Sequence, residues 1–407
     1  MRRAAVSCGV RTQTDQHTMN KKILIACLGG LSAGAAHAQS SVTLYGLVDT
    51  SISYVSNQRT NGANSPGSGG VQMNSGNLSA SRWGLRGAED LGGGMSAIFM
   101  LEGGFSSVNG KTSNGGKLFG RQSYVGLRAN GYGTFTMGRQ YDFILTFVTP
   151  LGAAGSGWGG NLAMHPYDND DSIQNIRINN AVRYTSETYR GFTAGAMYGF
   201  SNTAGSFGNN AAYSAGLSYA NGPFKAGAAI LKINRDGNVA NADGAVSSTD
   251  GSATITGGDE LIWALGARYA FGPHSVGVSW THSATDDVTG VWQGGSTTAL
   301  KGNTLIFDNF SIDGRYAVTP SLYLSAAYTY TQARFDAGSR SARPKWNQVV
   351  AQIDKVITPR TDVYLEGVFQ SVSGGRGNAA FDASVYTLTP SSNSNQVVVA
   401  AGLRHRF

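Results

Sequence analysis

Cysteine is almost absent from this sequence. The 407 residues include two cysteines, Cys8 and Cys27, and none follows them. The rest of the chain therefore has no residues for a disulfide, a thiolate metal site or a thiol nucleophile. Histidine is also sparse, and no two histidines beyond residue 38 have the spacing of metal ligands; they are His165, His274, His282 and His405. The sequence predicts no metal, no cofactor and no enzymatic activity.

Long apolar runs are missing too. Beyond residue 38 the chain has no run of 18 apolar residues, so the pattern predicts no membrane-spanning helix. Charged residues make up 14% of the chain, whereas about 25% is usual. Glycine is abundant instead, with 57 residues, about twice its usual share. This composition is typical of an all-β chain with many loops.

The N-terminal segment has the features of a secretory signal peptide. A basic start at Lys21 and Lys22 precedes an apolar stretch, and Ala36-His37-Ala38 forms a small-x-small cleavage site. We therefore predict a signal peptide over residues 1–38 and a mature chain over 39–407. A lipoprotein site at Cys27 fits less well, because four apolar residues are too few for the apolar stretch of a signal.

The start of the signal is open between Met1 and Met19. Residues 1–18 have no role in a signal that begins at Met19, which favours an over-extended start. Residues 1–38 hold five of the 31 basic and one of the 24 acidic residues, so the mature chain has a net charge of +3 rather than +7. The charge therefore gives no argument for a nucleic-acid partner.

The mature chain alternates apolar and polar residues with a period of two, as in SVTLYGLVDTSISYVS at residues 41–56. This period predicts strands with one apolar and one polar face. Sixteen such segments start near residues 41, 78, 95, 118, 134, 176, 191, 211, 223, 259, 274, 303, 321, 345, 361 and 394. Tight turns alternate with long loops at 57–77, 106–117, 142–175, 234–258, 284–302 and 373–393.

An even number of strands with short turns at one end and long loops at the other indicates an outer-membrane barrel. Only a closed barrel lets a sheet cross lipid, because each backbone donor and acceptor must be paired. The alternative is a soluble β-sandwich, whose inner face should be rich in leucine, isoleucine and phenylalanine. The apolar face here is rich in valine, alanine, glycine and tyrosine, which favours an all-β, transmembrane, antiparallel 16-stranded β-barrel.

Five blocks, taken in order, resemble the trimeric general-diffusion porins of Gram-negative bacteria, especially their β-proteobacterial branch. They are SSVTLYGLVDT (40–50), SRWGLRGAEDLGGGMSAIFMLE (81–102), GRQSYVGLRANGYGTFTMGRQYD (120–142), NNAVRYTS (179–186) and GLRHRF (402–407). The resemblance covers residues 40–407. It implies a homotrimer in the outer membrane, with one pore per subunit, in contact with lipid and lipopolysaccharide. It also implies a third loop, at 142–175, folded into the lumen. Phe407 resembles the terminal aromatic residue that the barrel-assembly machinery recognises.

Arg82 and Arg86 lie four residues apart on one predicted strand, so they share a face opposite Trp83 and Leu85. The arginines should therefore face water inside the barrel. The family's basic cluster at the pore constriction matches Arg82, Arg139 and Arg177, with Arg86 and Arg183 as basic neighbours. The usual first-strand lysine of this cluster falls at Leu47. Alternatively, each arginine is a solvated wall residue that pairs locally with Asp49 or Glu102.

The resemblance also implies acids on the third loop that face these arginines; the candidates are Asp168, Asp170 and Asp171, with Asp142 at the root. Opposed charges across a narrow channel favour polar solutes over apolar ones. We expect a general porin for small hydrophilic solutes and ions, with a weak anion preference. The alternative is a substrate-specific outer-membrane channel, which should have aromatic residues along the lumen.

Overall fold

Sixteen antiparallel strands form the wall of a closed barrel. Each begins within four residues of its predicted position, so the predicted fold is confirmed. The strands are β1 (Ser41–Arg59), β2 (Arg82–Gly92), β3 (Met95–Gly104), β4 (Gln122–Ala129), β5 (Gly133–Gln140), β6 (Ile178–Thr185), β7 (Phe192–Gly199), β8 (Ala211–Asn221), β9 (Phe224–Asn234), β10 (Glu260–Phe271), β11 (His274–Asp286), β12 (Thr304–Thr319), β13 (Leu322–Asp336), β14 (Lys345–Thr358), β15 (Thr361–Ser373) and β16 (Asn395–Arg406). The structure, a computed structural model, describes residues 41–60, 65–173, 176–235, 241–247 and 252–407. The predicted signal peptide, residues 1–38, lies outside the described residues.

The first and last strands close the barrel. Leu47 of β1 lies opposite Arg406 of β16, and the ladder continues to Val55 and Val398. Below it, Gly46 and Phe407 exchange two backbone hydrogen bonds of 3.1 and 3.0 Å. A side chain at position 46 would place its Cβ 2.5 Å from the Phe407 ring. Glycine at this position therefore lets the terminal aromatic ring lie against β1.

The outward face carries an apolar band. On β16 the outward side chains from Val397 to Leu403 are apolar, with the polar Asn395 and His405 on either side. At about 3.3 Å per residue and a tilt of about 40°, the two polar residues Asn395 and His405 lie about 25 Å apart in height, which matches the height of the apolar band in outer-membrane barrels. Exposed aromatic rings lie near its edges, including Tyr184, Phe200, Tyr269, Phe271 and Tyr316.

Seven short turns join the strands at one end of the barrel, and eight longer loops join them at the other. The longer loops are loop 1 (60–81), loop 2 (105–121), loop 3 (141–177), loop 4 (200–210), loop 5 (235–259), loop 6 (287–303), loop 7 (337–344) and loop 8 (374–394). They contain a π-helix at Ile144–Val148 and 3₁₀-helices at Thr149–Leu151, Gly160–Ala163, Pro166–Asp168, Gly338–Arg340 and Ala379–Phe381. In the described part of the chain, no helix is long and apolar enough to cross a membrane.

Several predicted loops contain strands. Residues Gly67–Ser75 of loop 1 pair with the outer half of β1, where the sequence predicts a loop over 57–77. The prediction is wrong here because GSGGVQMNS is too rich in glycine and serine to show alternation. A small separate sheet joins Ile255–Thr256, Gly290–Gln293 and Ser296–Ala299 from loops 5 and 6.

Loop 3 lies inside the barrel, as predicted. Its backbone contacts the inner wall in turn at Ser214 of β8 (Phe143 N to Oγ, 3.1 Å), Arg268 of β10 (Nε to Leu151 O, 3.0 Å) and Gln352 of β14 (Gly159 N to Oε1, 2.8 Å). Three buried apolar clusters hold it there, around Phe143 and Phe147, around Trp158 and Leu162, and around Tyr167. Each such side chain contributes about 1.5–3 kcal/mol when fully buried.

A bulge at the start of β6 changes one predicted face. The sequence pattern places Ile176 and Ile178 on the apolar outer face with Val182. In the structure the register shifts by one residue near Asn180, which has a positive φ of 51°. Ile178 therefore turns inward and is buried beside Phe143.

Candidate functional site

Arg82 and Arg86 project from β2 into the lumen. Arg82 lies opposite Leu47 and Arg86 opposite Thr43, on the inner face of β1. The Arg86 guanidinium lies 5.3 Å from the centre of the Tyr45 ring, within the range of a cation–π contact. Leu47 contributes no charge at this position, as the sequence indicates.

Arg121 belongs to the same wall and is not among the arginines predicted from the sequence. Its Nε donates a 2.7 Å hydrogen bond to Glu102, which also accepts one of 3.0 Å from the Tyr45 hydroxyl. Arg121 and Arg177 lie 5.9 and 5.6 Å from the centre of the Tyr141 ring. A signal was available, because Gly-Arg-Gln occurs at both 120–122 and 138–140.

The other predicted arginines support the entry and exit of loop 3. Arg139 is buried, donates to Gly120 O at 2.7 Å and also donates to the side chain of Asn179. Arg183 donates to Tyr141 O at 3.2 Å and to Thr146 Oγ1 at 2.9 Å, with its guanidinium 4.3 Å from the Phe143 ring centre. The structure therefore places all five predicted arginines between β2 and β6, with Arg177 just before β6.

The three predicted loop acids do not face the lumen, which corrects the expectation of an opposing acidic row. Asp168, Asp170 and Asp171 are at most 1% exposed. Asp170 accepts from Thr281 of β11 at 2.5 Å and contacts His165 at 2.6 Å. Asp168 and Asp171 accept backbone N–H groups within loop 3. Asp170 therefore fixes the loop to the wall, whereas Asp168 and Asp171 stabilise the fold of the loop itself.

The face of loop 3 that remains accessible is uncharged. The most exposed positions are Thr146, Pro150 and Gly157, and residues 152–156 are half-buried. Across 141–173, 176 and 177, no charged side chain is exposed or half-buried. The constriction therefore has arginines on one side and neutral groups on the other.

Elsewhere in the lumen, three acids are paired with arginines. Arg268 contacts Asp313 at 2.5 Å, and Arg315 contacts Asp354 at 3.0 Å. Asp362 forms ion pairs with Arg404, at 3.1 Å, and with Arg406, at 2.8 Å. No group of three or more acidic or histidine side chains in the described residues is placed to hold a metal ion.

The tip of loop 3 is fastened to loop 1. Residues 76–81 of loop 1 turn into the lumen, where the N–H groups of Leu78 and Ser79 donate to Asp49 Oδ2 at 2.9 and 2.6 Å. Asn161 of loop 3 donates its N–H to Asn77 O at 3.0 Å and its side chain to Gly76 O at 2.5 Å. This contact, which we call the loop 1–loop 3 clasp, fixes the tip far from the root of the loop.

Loop 3 should dock less firmly as pH rises. Burial raises the pKa of Asp168 to about 7, and Asp170 adds to the effect. Although burial opposes it, contact with Asp170 raises the pKa of His165. Both groups bind a proton more tightly when the loop is docked. The contribution of Asp168 is complete below pH 3.8 and is lost as pH rises to about 7, and that of His165 is complete below about 6.5 and is lost above it.

We therefore expect current fluctuations of the open channel to increase between pH 5 and 8, measured in planar bilayers. Replacing Asp168 by asparagine removes one titrating group and should flatten the increase. An equal slope in wild type and the Asp168→Asn variant would show that Asp168 does not control docking.

A closed barrel with an apolar outer band, an inward loop and an arginine-lined lumen defines a channel protein of the outer-membrane β-barrel class. A family model for Gram-negative porins matches residues 24–375. The chain belongs to the Gram-negative porin family and is therefore a protein of the outer membrane.

Two curated relatives have moderate identity. An outer membrane porin protein of Bordetella pertussis is 36% identical over 241 residues, 54% of this chain and 62% of the relative. Outer membrane porin protein 32 of Delftia acidovorans is 36% identical over 225 residues, 51% of this chain and 58% of the relative. The chain thus spans about three-fifths of the length of these relatives.

Solved structures share the fold. The anion-selective porin from Comamonas acidovorans has a TM-score of 0.66 and 23% identity, covering 91% of this chain and 100% of that one. A trimer form of OmpT from Vibrio cholerae has a TM-score of 0.59 and 16% identity, covering 90% of this chain and 99% of that one. At these identities the likeness concerns the barrel fold.

Proposed function

We propose that this protein is a general porin, a water-filled channel through which small hydrophilic solutes and ions diffuse passively. The main support is the lumen itself, a polar passage inside a closed barrel whose outer face is apolar. A barrel of sixteen strands is wide enough to hold an aqueous channel. Loop 3 narrows that channel, and the face of the loop that lines it is uncharged.

The channel prefers anions. Arg82, Arg86 and Arg183 line one side of the constriction, and the accessible face of loop 3 carries no charge to oppose them. Fixed positive charge in a narrow, low-dielectric passage raises the local concentration of anions. The burial of the loop aspartates makes this preference stronger than the weak one expected when acids face the arginines.

The functional assembly is a homotrimer in lipid and lipopolysaccharide. The trimer form of OmpT from Vibrio cholerae supports this assembly. Phe407 ends β16 against Gly46, so it lies where the barrel closes. This position supports its predicted role as the signal for the barrel-assembly machinery.

Residues 39–407, the chain without the predicted signal peptide, can be reconstituted in planar bilayers to test the proposal. We expect stepwise ohmic conductance and a reversal potential under a KCl gradient with the sign of an anion-preferring pore. Liposome swelling should decrease steadily with solute size. Absence of conductance would contradict the proposed channel function. A reversal potential with the sign of a cation-preferring pore would contradict the proposed anion preference.

A substrate-specific channel is the second candidate. Three aromatic rings along the lumen make cation–π contacts with arginines; they are Tyr45, Tyr141 and Tyr323. The Arg315 guanidinium lies 3.9 Å from the centre of the Tyr323 ring. Such pairs can bind planar anionic solutes. Conductance that saturates and is blocked by one class of solute would favour this candidate over the general porin.

A further inference from the structure

The strand Gly67–Ser75 of loop 1 leaves an open edge in the barrel wall. It pairs with β1 from Thr50 to Arg59, while β2 pairs with β1 from Ser41 to Leu47. In the described residues no other strand pairs with it. Loop 1 and β2 together thus occupy one position beside β1. In the described residues the outer half of that position has no paired strand on its far side, and Ser107 of loop 2 contacts it only at Ser75, where its N–H donates to Ser75 Oγ at 2.9 Å.

The register identifies the backbone groups at this edge. Gly76 N–H donates to Asp49 O at 2.9 Å, so the pair 49–76 is hydrogen-bonded. Antiparallel ladders alternate hydrogen-bonded and non-hydrogen-bonded pairs. Met73 and Val71 lie in the alternate pairs, opposite Ile52 and Tyr54. Their N–H and C=O groups therefore point away from β1, towards the open edge.

The open edge lies at the level of the apolar band. Ile52, opposite Met73, is also opposite Ala401, which lies within the outward apolar stretch of β16. Lipid tails offer no hydrogen-bond partner, and an unpaired backbone group costs several kcal/mol in the hydrocarbon region. The edge must therefore be covered by a group that can donate and accept hydrogen bonds.

Val71 at the edge is unusually exposed. It is 72% exposed, whereas Ile52 and Leu265, outward residues of strands that have neighbours on both sides, are 56% and 43% exposed. A cavity of about 310 Å³ lies beside the edge, lined in part by Met73 and by Val108 of loop 2. The greater exposure reflects the missing lateral neighbour.

The edge also lacks protection against pairing. Natural edge strands commonly carry lysine, proline or inward charges that prevent contact with another chain. GSGGVQMNS has no charged residue and no proline. A strand of this composition is open to pairing with a peptide segment.

We propose that a second copy of this chain docks on the open edge of Gly67–Ser75 and completes the sheet with backbone hydrogen bonds. This inference rests on the proposed homotrimer. In a threefold ring each subunit presents one surface and receives a different one, so every contact is heterologous. Each of the three open edges is then covered once and none remains exposed to lipid.

A photo-crosslinking amino acid at Met73 tests the contact in intact outer membranes. We expect covalent dimers and trimers of this chain. The matched control is the same amino acid at Leu265, an outward apolar position on the opposite wall, which should yield no protein crosslink. A product between Met73 and a different protein, or no product while the wild type runs as a trimer, would overturn the inference.

Proline at the edge provides a second readout. The N–H group that Met73→Pro removes points away from β1, so the barrel should still fold and conduct. The trimer of this variant should dissociate at a lower temperature than the wild-type trimer when samples are heated stepwise before gel electrophoresis. An unchanged dissociation temperature would contradict the inference. If the wild type is monomeric yet conducts, the trimer and this inference fail together while the channel function stands. If it is trimeric without a Met73 contact, this inference alone fails.

Discussion

Replacing Gly160 by valine is expected to widen the pore. Gly160 has a φ of +51°, and a Cβ there would lie 2.0 Å from the carbonyl oxygen of Leu78 in loop 1. No backbone contact tolerates that approach, so the loop 1–loop 3 clasp must separate. Because Asp49 anchors loop 1 through two N–H groups, the tip of loop 3 should be the part that moves. Single-channel conductance should rise, with more current noise, and larger sugars should enter liposomes.

Gly157→Ala is the matched control for this variant. Gly157 also has a positive φ, of 97°, but a Cβ there meets nothing within 4 Å. The Gly157→Ala variant therefore introduces the same kind of backbone strain, about 1–2 kcal/mol, without a clash against loop 1. Asn161→Ala, which removes the side-chain hydrogen bond to Gly76 O, should reproduce part of the widening. An exclusion limit unchanged in both Gly160→Val and Asn161→Ala would show that the clasp does not set the pore size.

The strand pattern could be predicted because lipid outside and water inside impose a strict alternation on every wall strand. The same physics explains where the pattern failed. Gly67–Ser75 borders an open edge, so fewer neighbours constrain its residues, and glycine and serine obscure the period. At Asn180 a bulge adds a residue to one strand, which reverses the faces before it and turns Ile178 inward.

The charged site was only partly predictable. An arginine on an alternating strand has a known face, so Arg82 and Arg86 could be assigned to the lumen from spacing alone. A loop has no such period. Whether Asp170 faces water depends on the groups that it meets, here His165 of the same loop and Thr281 of the wall, which is 111 residues away in sequence. Sequence spacing therefore identified the acids of loop 3 but not their burial.

Neutralising Arg82 and Arg86 together is expected to remove most of the anion preference. A unit charge about 4 Å from an ion is worth about 1 kcal/mol in water and more at lower dielectric. Because about 1.4 kcal/mol corresponds to a factor of ten, losing two charges should reduce the anion-to-cation permeability ratio by more than roughly tenfold. Glutamine at both positions keeps side chains of similar length. The measurement is the reversal potential under a KCl gradient. Arg190→Gln, in the short turn after β6, is the matched control and should leave the potential unchanged.

Salt dependence separates this electrostatic effect from a change in pore shape. The screening length is about 10 Å at 0.1 M salt and 3 Å at 1 M, so wild type and the Arg82→Gln/Arg86→Gln variant should differ strongly at low salt and converge at high salt. A variant that altered the width of the constriction would instead differ in conductance at both concentrations. If the preference for anions survived the double substitution at low salt, the field would have to come from Arg121, Arg177 and Arg183. Because Arg121 is bound to Glu102, Arg183 would then be the next residue to neutralise.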